Sequence, residues 1–212
     1  MEDILDLYAE PPDEQRPIVC LDEKLVTLHA DTRPPLPVAA GHGERIDYEY
    51  QRGGTANLFI LVDPHAGWRH VAVTEQRKAT DYARQLQWLA DECYPDAAVI
   101  RLVQDNLNTH HLANLYLVYP PEEARRLSRR FEVHYTPKHG SWLNMAEIEI
   151  GILERACLRR RIPSQEVLRQ RVSLLQSERN MARCQIHWRF TTPDARTKLS
   201  RFYAALLSPT PI

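Results

Sequence analysis

A chain of 212 residues, 43% hydrophobic and 26% charged, is long enough for one domain with a full core. It has no apolar run of about 18 residues that would span a membrane, and its acidic start, Met1 to Tyr8, lacks the basic region of a signal peptide. The formal net charge of −1 hides an uneven split: residues 1–121 hold 10 Lys/Arg against 19 Asp/Glu, net −9, and residues 122–212 hold 17 against 9, net +8.

Residues 1–16 are acidic and proline-bearing and predict a short helix followed by a linker, so a main domain is expected over 17–207. Residues 17–24 form an apolar, β-branched first strand. The stretch 31–54, with three prolines and four glycines, predicts mostly loop, with a short strand near 47–50. Residues 56–62 and 68–73, separated by Asp63-Pro64-His65-Ala66-Gly67, predict a hairpin. Helical spacing of Tyr82, Leu86, Leu89 and Ala90 predicts a helix over 78–94. The apolar run 97–103 predicts a strand buried on both faces. Short helices follow over 109–117 and 121–130, a strand over 131–136, and helices over 142–160 and 164–183, the latter capped by Ser164. Residues 187–190 form a strand or stay irregular, and a last helix covers 193–207 with Thr192 as its cap. A meander of strands followed by alternating helices and strands predicts an α/β fold: a mixed sheet with helices on both faces, in the ribonuclease-H-like arrangement. There the first and fourth strands are neighbours.

Three acids stand out in this order. Asp22 and Asp105 each end a buried, strand-forming run, and Glu147 sits where a helix begins. Brought together, they would offer hard oxygen ligands for two Mg²⁺ or Mn²⁺ ions. Most carboxylates are solvated, and an acid at a strand end is commonly a turn former; it is the three contexts in sequence that single these out. The four cysteines, Cys20, Cys93, Cys157 and Cys184, form no Cys-x-x-Cys pair, so they read as reduced thiols of a cytoplasmic protein. No Cys/His pair has zinc-ligand spacing, which leaves a zinc-binding regulator built on the nine histidines as a weak reading.

The motifs Leu21-Asp22-Glu23-Lys24, Asp105-Asn106-Leu107-Asn108-Thr109-His110 and Trp142-Leu143-Asn144-Met145-Ala146-Glu147, with 41 residues between Asp105 and Glu147, resemble the catalytic core of DDE transposases. The bacterial IS630 family, related to the Tc1/mariner elements, is the best match, over about residues 17–206. The resemblance implies metal-dependent DNA cleavage followed by strand transfer. It implies transposon ends and target DNA as partners, leaves a homodimer open and involves no membrane. It carries over Asp22, Asp105 and Glu147 as catalytic, metal-holding acids. Glu149 competes for the third role, but it points about 200° away from Glu147 on a helix. The family's N-terminal helix-turn-helix region has no counterpart ahead of Asp22. A nuclease of the same fold without strand transfer, and a non-catalytic DNA-binding remnant of an insertion element, are the alternative readings.

Around these acids, Asn106 and His110 are placed to contact DNA or to orient a carboxylate, with a cap and a surface histidine as the plainer alternatives. Lys138 and His139, just before the Glu147 helix, suit a phosphate backbone. Trp142 is either a base-stacking indole or core. Arg159, Arg160 and Arg161 form the densest basic run after Glu147; they are either DNA-binding or a solvated helix end.

Overall fold

The computed structural model describes residues 1–201 and residue 203. Five strands form one mixed sheet in the order β3-β2-β1-β4-β5. They are β1 (Ile18–Asp31), β2 (Tyr50–Asp63), β3 (Trp68–Thr74), β4 (Ile100–Gln104) and β5 (Phe131–Tyr135). The first three run antiparallel as a meander, while β4 and β5 run parallel to β1 and to each other. This is the ribonuclease-H-like order expected from the sequence. Among the described residues, six α-helices accompany the sheet: α1 (Glu2–Ala9), α2 (Ala79–Trp88), α3 (Pro121–Ser128), α4 (Ala146–Leu153), α5 (Gln165–Met181) and α6 (Thr192–Lys198).

Strand residues alternate between two cores, as the period of a pleated strand requires. Ile18, Cys20, Leu58, Ile60 and Val103 face α1, α4, α5 and α6. Val19, Leu21, Phe59, Leu61 and Leu102 face α2 and α3. Helix α1 is packed into the first core through Ile4, Leu5, Leu7 and Tyr8 rather than standing apart from it. The edge strand β3 is covered by α5: Asn180 Oδ1 accepts from the Arg69 N–H at 2.9 Å and Gln176 Oε1 from the Val71 N–H at 2.8 Å. These side chains satisfy donors that would otherwise be open to pairing.

Several boundaries differ from the sequence reading. The first strand continues past 24 to Asp31, because a second strand pairs with it along that length. That partner, β2, begins at Tyr50 and runs through Gly53 and Gly54, which read as loop; Gly54 adopts a φ of +88° near a register shift opposite Thr27 and His29. The two glycines mark a bulge in a long ribbon rather than its end. The separate strand near 47–50 does not form, and the arm between β1 and β2 carries only isolated bridges, Leu36 with Arg45 and Ala39 with His42. The helix over 142–160 is divided into a 3₁₀ turn at Ser141–Leu143, α4, and a π-type turn at Glu154–Leu158. Residues 187–190 are irregular. The last helix is capped by Thr191, whose hydroxyl accepts from the Asp194 N–H, while Thr192 is already its first residue; the part expected beyond residue 203 lies outside the described residues. Ser164 caps α5, accepting from the Val167 N–H at 3.3 Å.

Candidate active site

The parallel register of β1 and β4 sets the site. Their last paired residues are Cys20 and Val103. Two residues further along come Asp22, still in β1, and Asp105, just past the end of β4, both with the parity of the face that packs against α4. Beyond Cys20, β1 keeps β2 as its neighbour but loses β4, so the sheet opens at this point. A crevice at the carboxyl ends of parallel strands is where open α/β sheets place their ligands.

Glu147, exposed in the first turn of α4, is brought to the same end by Asn144. This buried amide donates through Nδ2 to the Leu21 carbonyl at 2.8 Å and to Asp22 Oδ2 at 3.3 Å. Its Oδ1 accepts from the Ala146 N–H at 3.1 Å. One side chain therefore starts the glutamate helix and ties it to the strand that carries Asp22. The sequence offered Asn144 only as part of a motif; its role as a tether depends on a partner 122 residues away. Replacing Asn144 by Ala leaves the Leu21 carbonyl and the Ala146 N–H without partners, and is expected to cost about 1–3 kcal/mol in urea denaturation. A loss of less than a few tenths of a kcal/mol would show that Asn144 does not anchor the helix.

Electrostatics distinguish Asp22 from an ordinary surface acid. Burial, and then the charges of Glu147 and Asp105, push its carboxyl up to about 6, against the hydrogen bond from the Glu23 N–H and the charge of His110. The three acids feel one another. They are not a closed cage, and among the described residues no three His, Cys, Asp or Glu side chains are drawn together tightly enough to hold an ion. Carboxylates that face one another repel, and each favours protonation of the other. An oxygen-only donor set at an open sheet end, with Asp22 pushed toward protonation, fits a hard divalent cation.

Asp105 is held from the other side. His110 Nδ1 hydrogen-bonds Asp105 Oδ1, and His110 Nε2 lies 3.1 Å from Glu23 Oε1. Burial pulls His110 down, but the hydrogen bonds and charges of Asp105 and Glu23 outweigh it and hold the imidazolium up to about 9. The ring lies against Tyr82, 5.0 Å between centroids, and its backbone carbonyl accepts from Gln104 Nε2 at 2.7 Å. His110 is fully buried, so it orients Asp105 and is placed away from solvent and from any phosphate. Glu23 was read only as part of the Asp22 motif. Alternation along β1 sends Asp22 to one face and Glu23 to the other, where it supports His110.

Glu149 does not belong to this constellation. It is buried and receives two hydrogen bonds from Arg179, at 2.8 and 3.0 Å, with Arg69 Nε 3.5 Å away. Asn106, directly after Asp105, and Lys138 and His139, between β5 and α4, are exposed, and His139 takes a φ of +63°. Trp142 is 45% exposed and stacks on Trp188, with Phe190 edge-on, so it belongs to a surface aromatic cluster. The three consecutive arginines diverge. Arg161 reaches into the β1–β2 arm, pairing with Asp31 at 2.8 Å and donating to the Glu49 and Tyr48 carbonyls. Arg160 pairs with Glu44 of the same arm at 3.2 Å. Arg159 is exposed and has no acidic partner among the described residues.

The sequence model of the DDE superfamily endonucleases matches residues 17–169. The chain belongs to the DDE superfamily endonuclease family. Its fold is shared with the Mos1 strand transfer complex, at 18% identity and a TM-score of 0.57 over 83% of this chain and 51% of that one. The Mos1 transposase paired-end complex with left transposon end matches with 17% identity and a TM-score of 0.57, over 86% and 55%. The Mos1 mariner paired-end complex with Mn matches with 17% identity and a TM-score of 0.56, over 86% and 55%. This DDE chain thus spans about half the length of those transposase chains. No curated protein matches it. No helix among its described residues is long and apolar enough to cross a membrane.

Proposed function

We propose that this DDE-family chain is the catalytic domain of an IS630-type transposase, which cleaves DNA at transposon ends and joins the freed 3′ end to target DNA. The observation that carries the reading is the parallel register of β1 and β4, which ends at Cys20 and Val103, two residues before Asp22 and Asp105, with the Glu147 helix tethered to β1. Asp22, Asp105 and Glu147 would hold two Mg²⁺ or Mn²⁺ ions. When bound, such ions neutralise charge on the scissile phosphate and assist both the attacking and the leaving oxygen. Asp22, which feels the charges of both other acids, would be the central ligand of the set. His110 and Glu23 fix the orientation of Asp105, and Asn144 fixes the helix of Glu147. Lys138 and His139, exposed ahead of that helix, and Asn106, after Asp105, would contact the DNA.

The deciding assay presents a labelled duplex carrying a transposon end together with a target plasmid. Cleavage and 3′-end joining, both requiring Mg²⁺ or Mn²⁺, are the expected result. Cleavage without joining would assign the chain to nuclease chemistry, and neither activity on any end tested would sink the reading.

Metal binding also has a thermodynamic signature. Ions that bind only the folded protein stabilise it by about 2.7 kcal/mol at a hundredfold excess over Kd. Thermal unfolding with and without Mg²⁺ should show this gain at pH 7.5 and its loss in Asp22→Asn and Asp105→Asn. The gain should shrink as the pH falls through about 6, where Asp22 takes up a proton and ceases to be a ligand. Equal gains in the wild type and both variants would place the ions elsewhere.

A further inference from the structure

Downstream of Glu147 lies a basic groove that the carboxylate site does not use. Helix α4 runs on into the π-type turn Glu154–Leu158, which exposes Arg155. The Arg155 guanidinium folds back over Gly151, so that a Cβ on that glycine would stand 3.3 Å from Arg155 Nη1. Gly151, one turn after Glu147, therefore leaves the room in which this side chain lies along the helix toward the acids. Arg159 follows one turn later, and Arg171 arrives from α5, with Nη1 3.4 Å from the Cys157 carbonyl. Together with Arg160, Glu44 and Ile46 they line a groove of about 650 Å³.

The charges in this groove are not matched. Arg160 has Glu44 as a partner, and Glu154, the acid of the same turn, is engaged with Lys24. Arg155, Arg159 and Arg171 have no carboxylate partner among the described residues. Three unmatched guanidiniums lining one open groove make it positive, and a polyanion lying along it would relieve their mutual repulsion. Arg155 and Arg159 lie eight and twelve residues beyond Glu147. At the helical rise their backbones lie roughly 12–18 Å along the axis, and the Arg155 guanidinium, folded back over Gly151, lies about 6 Å from Glu147 along it. With about 3.4 Å of rise per phosphate along one DNA strand, that span corresponds to roughly two to five base pairs from a phosphate held at the acids.

Resting on the transposase reading above, we propose that Arg155, Arg159 and Arg171 form a track for the phosphate backbone of duplex DNA flanking the scissile phosphate. The track contacts phosphates and not bases, so it sets position and affinity without sequence preference. Arg160 and Arg161 belong instead to the arm contacts that hold the β1–β2 ribbon against this side of the domain.

The test is the salt dependence of binding to a labelled random-sequence duplex, measured without divalent metal over a series of KCl concentrations. Each phosphate contact contributes about −0.9 to the slope of log K against log salt. Arg155→Ala, Arg159→Ala and Arg171→Ala should each flatten the slope by about that amount, and the triple variant by between two and three. Arg155→Lys, which keeps the charge, should retain most of the slope. Arg125→Ala with Arg129→Ala, on α3 and at its C-cap on the other face of the sheet, should leave it nearly unchanged. A triple variant with the wild-type slope, or one no flatter than the α3 control, would overturn the track. Retention of the Mg²⁺-induced stabilisation in the triple variant shows that its acid site is folded. Because slopes are read without metal or turnover, failure of the track and failure of the transposase reading are separate results.

Discussion

Asp22→Asn is expected to abolish DNA cleavage while leaving the metal-free protein at least as stable as the wild type at neutral pH. The two effects have one cause. Asp22 is partly buried beside Glu147 and Asp105, and its carboxyl is raised from 3.8 to about 6. Below about pH 4 it is protonated both folded and unfolded and has no effect on stability. As the pH rises from 4 through 6 the unfolded chain ionises it first, so folding loses stability over that window. Above pH 6 the ionised group costs about 2–3 kcal/mol, because each tenfold change in proton affinity between the folded and unfolded chain is worth about 1.4 kcal/mol. Asn removes that cost and keeps one of the two acceptors, so its carbonyl oxygen can accept from the Glu23 N–H, as Asp22 Oδ1 does, while the weaker 3.3 Å bond from Asn144 to Asp22 Oδ2 is given up. On the proposed reading it also removes a charged metal ligand. Loss of several kcal/mol of charge stabilisation in the transition state lowers the rate by about 10²–10³ or more. The check is a nicking assay paired with urea denaturation at pH 5 and pH 8. An active Asp22→Asn variant, or one that is markedly less stable than the wild type at pH 8, would contradict this account of the site.

Glu149→Ala is expected to act in the opposite manner, with the largest stability loss of any acid in α4. Glu149 lies between Arg179 and the fully buried Arg69. Burial lowers the Arg69 pKa and the charge of Glu149 opposes that. Removing one member of a buried ion pair leaves its partners uncompensated and costs about 3–5 kcal/mol. Arg69 also donates to the Gly67 carbonyl at 2.7 Å and to the Cys184 carbonyl at 2.5 Å, so α5, the β2–β3 turn and the chain after α5 loosen together. Glu149→Gln, which preserves the shape and one acceptor, should cost less and keep the Mg²⁺-induced stabilisation. Glu147→Gln should show the reverse profile: little change in stability and loss of cleavage. Similar stability losses for Glu147→Gln and Glu149→Ala would mean that the two acids are not divided between chemistry and packing in this way.

The layout of this DDE domain was legible in the amino-acid order, because local pattern is enough where burial is uniform. The runs ending at Asp22 and Asp105 are apolar and β-branched, and both became central strands. Ser164 marked the start of α5 because a capping hydroxyl acts within its own turn. Asp22, Asp105 and Glu147 stood out as candidates because their contexts are local: two strand ends and a helix start. What lies between distant segments came from folding. Pairing extended β1 to Asp31 and carried β2 through Gly53 and Gly54, since a ladder overrides weak strand propensity. Packing divided Glu147 from Glu149, whose spacing leaves both at the start of one helix, by placing Arg179 and Arg69 opposite only the second. It made His110 a buried support for Asp105 through Glu23, where the sequence allowed a surface histidine. It also separated Arg159 from Arg160 and Arg161, because only the folded arm supplies Glu44 and Asp31 as partners. A charge read along the chain has a sign and a place. Whether it is matched depends on which residues the fold sets across from it.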